Sequence, residues 1–239
     1  MLKMKFINFL MMGLVVIPSF SFSQEVISEK DFGISFTPSL GGTYANYKNL
    51  NTELQKNGYS SFNNLHYGVG LDLSIDYKNL TGFFHIFSSL GQTKKNKFGY
   101  NNSTDILSTE LGLEYRFNLD LKKSVKISLF ASRGSMLSTF QIEKPIHAPD
   151  FSSALNAGGN ITSLDNISNF WAGGLGLYWL RRENLRYNLK MGYRRNEDVE
   201  WIPYTSEFAL PNSPKDNLSG IFLSIGIDVN INVFRRKNL

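Results

Sequence analysis

Between Leu65 and Tyr77 the chain alternates, with Leu65, Tyr67, Val69, Leu71, Leu73, Ile75 and Tyr77 on one face and His66, Gly68, Gly70, Asp72, Ser74 and Asp76 on the other. A period of two with one apolar and one small or polar face predicts a β-strand between an apolar and a polar medium. The pattern returns along the chain. A first strand, about Phe32 to Tyr44, sets Phe32, Ile34, Phe36, Pro38 and Leu40 against Gly33, Ser35, Thr37, Ser39 and Gly41. A fourth sets Leu107, Leu111, Leu113, Tyr115 and Phe117 against Ser108, Glu110, Gly112, Glu114 and Arg116. The fifth, about Val125 to Phe140, opens with Ile127, Leu129 and Ala131 against Lys126, Ser128, Phe130 and Ser132. In the sixth, Trp171, Leu175, Leu177 and Trp179 oppose Ala172, Gly174, Gly176 and Tyr178. The seventh sets Leu185, Tyr187, Leu189, Met191 and Tyr193 against Arg186, Asn188, Lys190, Gly192 and Arg194, and the eighth alternates Ile221 to Val233 with Ser224, Gly226, Asp228, Asn230 and Asn232. The third, near Leu80 to Leu90, is the least regular: Phe83 and Phe87 share a face with His85 while Phe84 and Ile86 take the other, which leaves its register open.

The connections carry a second regularity. They are short after the second, fourth and sixth strands, around Lys78-Asn79, Asp120 to Lys123 and Arg181 to Asn184, and long after the odd ones. Eight alternating strands with short turns at one end and four long loops at the other predict an antiparallel up-and-down β-barrel crossing a membrane, lipid outside and a polar lumen within. Strand aromatics fit two interfacial girdles: Phe32, Tyr77, Tyr115, Phe117, Trp179 and Tyr187 at the short-turn end, Tyr44, Tyr67, Trp171 and Tyr193 at the other. A soluble β-sandwich would alternate in the same way. Asn51 to Gly58 is expected to form one or two helical turns closed by Gly58, and Ala148 to Asn169, rich in Ser, Asn and Gly, is expected to be loop.

Composition narrows this further. Mean hydropathy is −0.20, and apolar residues are spread in alternation, so beyond the first two dozen residues strands would have to do the crossing. Residues 1–23 read as an export signal, with Lys3 and Lys5, an apolar stretch from Phe6 to Ile17, and Ser21-Phe22-Ser23 as the cleavage site; 24–239 then form a single barrel domain. The chain has no cysteine, which excludes a cysteine-linked lipid anchor and a disulfide framework. A formal charge of +5 falls by two with that signal, too mild a bias for a nucleic-acid partner. Lys94, Lys95 and Lys97 form the only tight basic run in a long loop and are read as solvated.

The signal, the eight strands, the three tight turns and the four long loops resemble the small eight-stranded outer-membrane barrels typified by OmpX and the OmpA membrane domain. The resemblance covers nearly the whole chain after residue 23 and is one of pattern. It implies a monomer in the outer membrane of a Gram-negative bacterium, in contact with lipopolysaccharide and inserted by the barrel-assembly machinery. One departure is that Phe234 is followed by Arg235-Arg236-Lys237-Asn238-Leu239, where such barrels commonly end on an aromatic.

A barrel of eight strands is only wide enough for side chains to fill. The inward faces carry Asp72, Asp76, Glu110, Glu114 and Asp228 against Arg116, Lys126, Arg186, Lys190 and Arg194. Acids and bases in a narrow lumen are expected to pair into a network, because an unpaired buried charge costs several kcal/mol. A narrow ion channel is the alternative use of such a lumen. Barrel enzymes that deacylate or acylate lipid A make catalysis a second alternative, but His66, His85 and His147 lack the His-x-Ser pattern of the deacylases, and no enzyme is expected. No metal-ligand spacing, phosphate-cradling glycine loop or cofactor motif occurs. Trp201, Tyr204 and Phe208 in the last long loop offer a contact surface for an extracellular ligand, and the expected role is structural or one of surface interaction.

Overall fold

The computed structural model describes residues 32–95, 100–119, 125–143, 161–182, 185–203 and 213–231. The expected export signal, His147, Lys97, Tyr204, Phe208 and Phe234 lie outside the described residues. The elements are β1 (Phe32–Tyr44), α1 (Lys48–Lys56), β2 (Leu65–Tyr77), β3 (Leu80–Ser89), β4 (Gln92–Lys95), β5 (Asn101–Asn118), β6 (Val125–Glu143), β7 (Ile161–Arg182), β8 (Leu185–Asn196), β9 (Asp198–Glu200), β10 (Ile202–Pro203), β11 (Lys215–Asn217) and β12 (Gly220–Ile231).

Eight strands close into a barrel in the order β1-β2-β3-β5-β6-β7-β8-β12, every pair antiparallel, with β12 returning to β1. The tight turn between β2 and β3 places Lys78 at φ 54, the left-handed backbone that a two-residue hairpin demands. Outward positions are apolar and bare: Leu40, Leu113, Ile221, Leu223 and Ile225 each expose more than half of their surface. Inward positions such as Ser35, Asp72, Glu114, Asn188 and Asp228 are buried. A sandwich hides its apolar face between sheets, so this inverted distribution excludes the sandwich and marks an exterior suited to lipid.

The register of β3 is settled by its neighbours. Thr81, Phe83, His85 and Phe87 point inward, and Phe83 lies opposite Gly112 of β5. Phe130 opposite Gly174, Phe170 opposite Gly134 and Phe222 opposite Gly192 repeat that arrangement. A methyl group on Gly192 would sit 2.7 Å from Phe222 Cζ, so the small residue makes room for the ring beside it.

Two expectations need correction. Residues 161–169 are strand rather than loop, because β7 runs 22 residues and keeps pairing with β6 through Ile161↔Glu143. Its Ser and Asn side chains do not disqualify it, since this part rises past the apolar belt. The second concerns the apolar core. Ala45, Tyr47, Leu50, Leu54, Phe62, Ile106, Met136, Phe140, Phe170, Trp201 and Leu218 pack together inside the long-loop end of the barrel, around α1, where a polar lumen is expected throughout.

Candidate functional site

The interior is layered. Nearest the short turns lies a chain of charges supplied by β2, β3, β5, β8 and β12. His85 Nδ1 bonds Asp72 Oδ1; Asp72 Oδ2 receives Lys190 Nζ at 3.0 Å; Lys190 Nζ is 3.5 Å from Glu114 Oε2; and Arg116 reaches Glu114 at 3.5 Å and Asp76 at 3.1 Å. Arg186 continues it, 3.8 Å from both Asp76 and Asp228. Asp76 also accepts from Thr81 at 2.7 Å, Ser35 at 3.1 Å and Asn230 at 3.3 Å. Period-two alternation is what aims these groups inward together, and at Asp76 hydrogen bonds from neutral neighbours occupy lone pairs that the arginines leave free.

Seven of the ten expected lumen charges thus form one connected string: Asp72, Asp76, Glu114, Arg116, Arg186, Lys190 and Asp228. Glu110 and Arg194 stand in the next layer. Ser132 Oγ donates to Glu110 at 2.6 Å, while Arg194 lies 4.5 Å over the Phe170 ring, 5.6 Å from Phe222, and 3.4 Å from Thr43 Oγ1. Lys126 lines the inward face of β6 near the turn end, opposite Asn118 and Tyr178. His85 joins the string although its residue type alone does not announce it; its position opposite Asp72 in the β2–β3 register is the signal.

Above the aromatic layer the mouth is closed. In α1, Leu50 and Leu54 turn one face into the barrel, and a left-handed Gly58 (φ 78) ends the helix, with Tyr59 N–H bonded to Leu54 O at 2.8 Å. The start of α1 has no cap of its own. Asp216, 166 residues away on β11, supplies it: Oδ1 accepts Asn49 N–H at 2.8 Å, and Oδ2 accepts Leu50 N–H at 3.0 Å. The same Oδ2 takes the Trp201 indole N–H at 2.9 Å. Trp201 is therefore not an exposed contact residue: it is fully buried, 6.1 Å from the Tyr47 ring, because its polar edge finds a carboxylate and its faces find the core. Tyr47 shares a hydrogen bond with Ser138 at 3.0 Å, and burial pushes its hydroxyl pKa far above the ordinary value. Lys94 is tied down as well, its Nζ donating to Ser61 O at 2.9 Å.

The Asp72–His85 pair has the partners of a catalytic dyad but not the setting. It faces the lumen beside a cavity of about 30 Å³ lined by Phe83, Phe87, Phe130, Glu110, Lys190 and Arg194. That space holds about one or two waters and no acyl chain. Among the described residues no group of three or more His, Cys, Asp or Glu is placed to hold a metal.

No protein-family model matches the sequence, and no curated protein matches it. Solved structures do. A major outer membrane protein from Thermus thermophilus aligns with a TM-score of 0.50 at 9% identity, over 83% of this chain and 99% of that one. Ail of Yersinia pestis, in complex with the heparin analogue sucrose octasulfate, aligns at 0.47 and 12%, over 84% and 98%. Neisserial surface protein A aligns at 0.46 and 15%, over 85% and 98%. What the Thermus protein shares with this chain is the fold: a closed, antiparallel, eight-stranded barrel of the outer-membrane type.

Proposed function

We propose that the chain is a monomeric outer-membrane barrel of a Gram-negative bacterium that acts as a rigid scaffold, presenting its long-loop end to the surroundings for structural or surface-interaction work. The observation that carries this reading is the double seal: a connected string of lumen ion pairs below and the α1–Trp201–Asp216 plug above. A lumen filled and capped in this way gives a rigid frame without opening a path for solutes. The long connections face outward and the short turns face the periplasm, following the asymmetry of barrels of this kind. Its partners are outer-membrane lipid along the wall, the assembly machinery during insertion, and an extracellular ligand at the capped end.

The test is to fractionate cells producing the full chain, compare boiled and unboiled outer membranes by gel mobility, and reconstitute the folded form in planar bilayers. A heat-dependent mobility shift with a silent bilayer supports the reading. A soluble, unshifted protein would sink it. Steady conductance steps would replace the scaffold by the narrow channel.

A further inference from the structure

On the outer face of β6, β7 and β8, a row carrying two arginines breaks the apolar wall. In the β6–β7–β8 ladder, Arg133 pairs across to Trp171, and Trp171 to Arg195. All three point outward and are exposed, Trp171 by 64%. Arg133 lies 5.2 Å from the Trp171 ring centroid. Among the described residues neither arginine belongs to an ion pair, although Glu197 shares the outward face one step beyond Arg195. Below the row the wall is Ala131, Gly173 and Tyr193, and then Leu129, Leu175 and Met191. Trp171 is eight positions from Trp179 of the turn-end girdle, a rise of roughly 20 Å at strand spacing and barrel tilt. Against an apolar band about 25 Å tall, the arginine backbones lie just below its loop-end edge, where side chains of this length reach the headgroups.

Arg195 also borders a groove of about 580 Å³ lined by Tyr44, Asn46, Tyr193, Asn217, Ser219 and Ile221. Its lower edge, Ile221 and Tyr193, is apolar and exposed, and its upper edge carries amides and hydroxyls. A cation beside hydroxyl and amide groups, over an apolar floor, complements a phosphate on a sugar whose acyl chains run down the wall.

We propose that Arg195, with Arg133 across Trp171, forms a binding site for the phosphorylated sugar headgroup of an outer-leaflet glycolipid. The site rests on the outer-membrane reading above. Guanidinium groups hold phosphate by paired N–H donors, the indole face keeps Arg133 aligned, and the groove receives the sugar.

The experiment uses the full chain folded into phosphatidylcholine nanodiscs, with the gel-mobility shift recorded first for every variant. Bisphosphorylated lipid A, dephosphorylated lipid A and phosphatidylglycerol are then offered in competition, and the lipid retained is read by native mass spectrometry. The expected result is retention of bisphosphorylated lipid A about tenfold above both others, one decade per 1.4 kcal/mol. This preference should fall to near parity in R133Q/R195Q and stay unchanged in K94Q/K95Q. Equal retention of all three lipids by the wild type, or a preference undiminished in R133Q/R195Q, would overturn the site. Equal retention of phosphatidylglycerol and lipid A would remove the sugar from it, and displacement by inorganic phosphate would remove the lipid. Loss of the mobility shift in the wild type would instead strike the barrel reading beneath.

Discussion

Asp216 is the residue on which the plug is expected to depend. Its carboxylate accepts two backbone N–H groups that α1 cannot satisfy internally and the indole N–H of a buried tryptophan. Hydrogen bonds to a charged group contribute about 1.5–3 kcal/mol each, and part of that gain offsets the cost of burying the carboxylate. Asp216→Ala should therefore ease local opening of the plug by about 3 kcal/mol, or about a hundredfold in the opening equilibrium. Asp216→Asn keeps one oxygen acceptor and loses the charge at the helix start, which should cost about 1–2 kcal/mol, near tenfold. The assay is hydrogen exchange by mass spectrometry on the folded protein in detergent, comparing peptides covering 48–56 with those covering 65–77 and 220–231. Exchange in α1 should accelerate by those factors while the barrel strands keep their protection, because their ladders do not touch Asp216. Unchanged protection of α1 in Asp216→Ala would refute the trans-capping argument. Equal acceleration everywhere would refute the claim that plug and wall open separately.

Three further outcomes follow from the interior. Lys190→Met removes the cation between Asp72 and Glu114, and should lower unfolding stability in detergent by about 3–5 kcal/mol, measured as a fall in urea midpoint; a change under about 1 kcal/mol would mean that the string is not coupled. Gly192→Ala drives a methyl against Phe222 and should cost about 1–3 kcal/mol, with Phe222→Leu recovering part of it in the double variant. Burial raises the Tyr47 pKa above its ordinary 10.0, so the opened plug ionises at a pH where the closed one does not. The closed form binds the extra proton there, and plug stability is full below pH 10 and declines as pH rises beyond it. The near-ultraviolet circular dichroism of Trp201 should report this decline, and Tyr47→Phe should remove the pH dependence.

What the alternation reveals is the wall, and what it conceals is the contents of the mouth. The inward lists for β1, β2, β5 and β8 are readable because each strand carries its own period-two signal. The third strand defeats that reading because inward Phe83 is accommodated by Gly112 on another strand, information that β3 does not contain. Asp216 and Trp201 fail for a related reason: a helix cap supplied from 166 residues away leaves no trace in the residues around the helix start. Exposed-looking aromatics in a long loop can equally be the lining of a cap, and only the packing around Tyr47 decides for Trp201. The polar start of β7 is hidden by composition, since Asn is a poor strand former and only the continued pairing with β6 makes these residues strand.

The closing pair of the barrel has a kinetic consequence. β1 meets β12 through contacts such as Ile34↔Ile231, so the first barrel strand waits for the last to be delivered. Loop-closure entropy makes such distant pairing a late event. The same closure completes the electrostatics: Asp228 already faces Arg186 across the β8–β12 pair, but Arg186 and Asn230 reach Asp76 of β2 only when β12 docks on β1. An open intermediate would therefore carry Asp76 and Arg186 with part of their partners missing, and settling the final strand discharges that imbalance. Charge pairing inside the lumen thus acts as a latch that favours the finished cylinder over any half-built sheet.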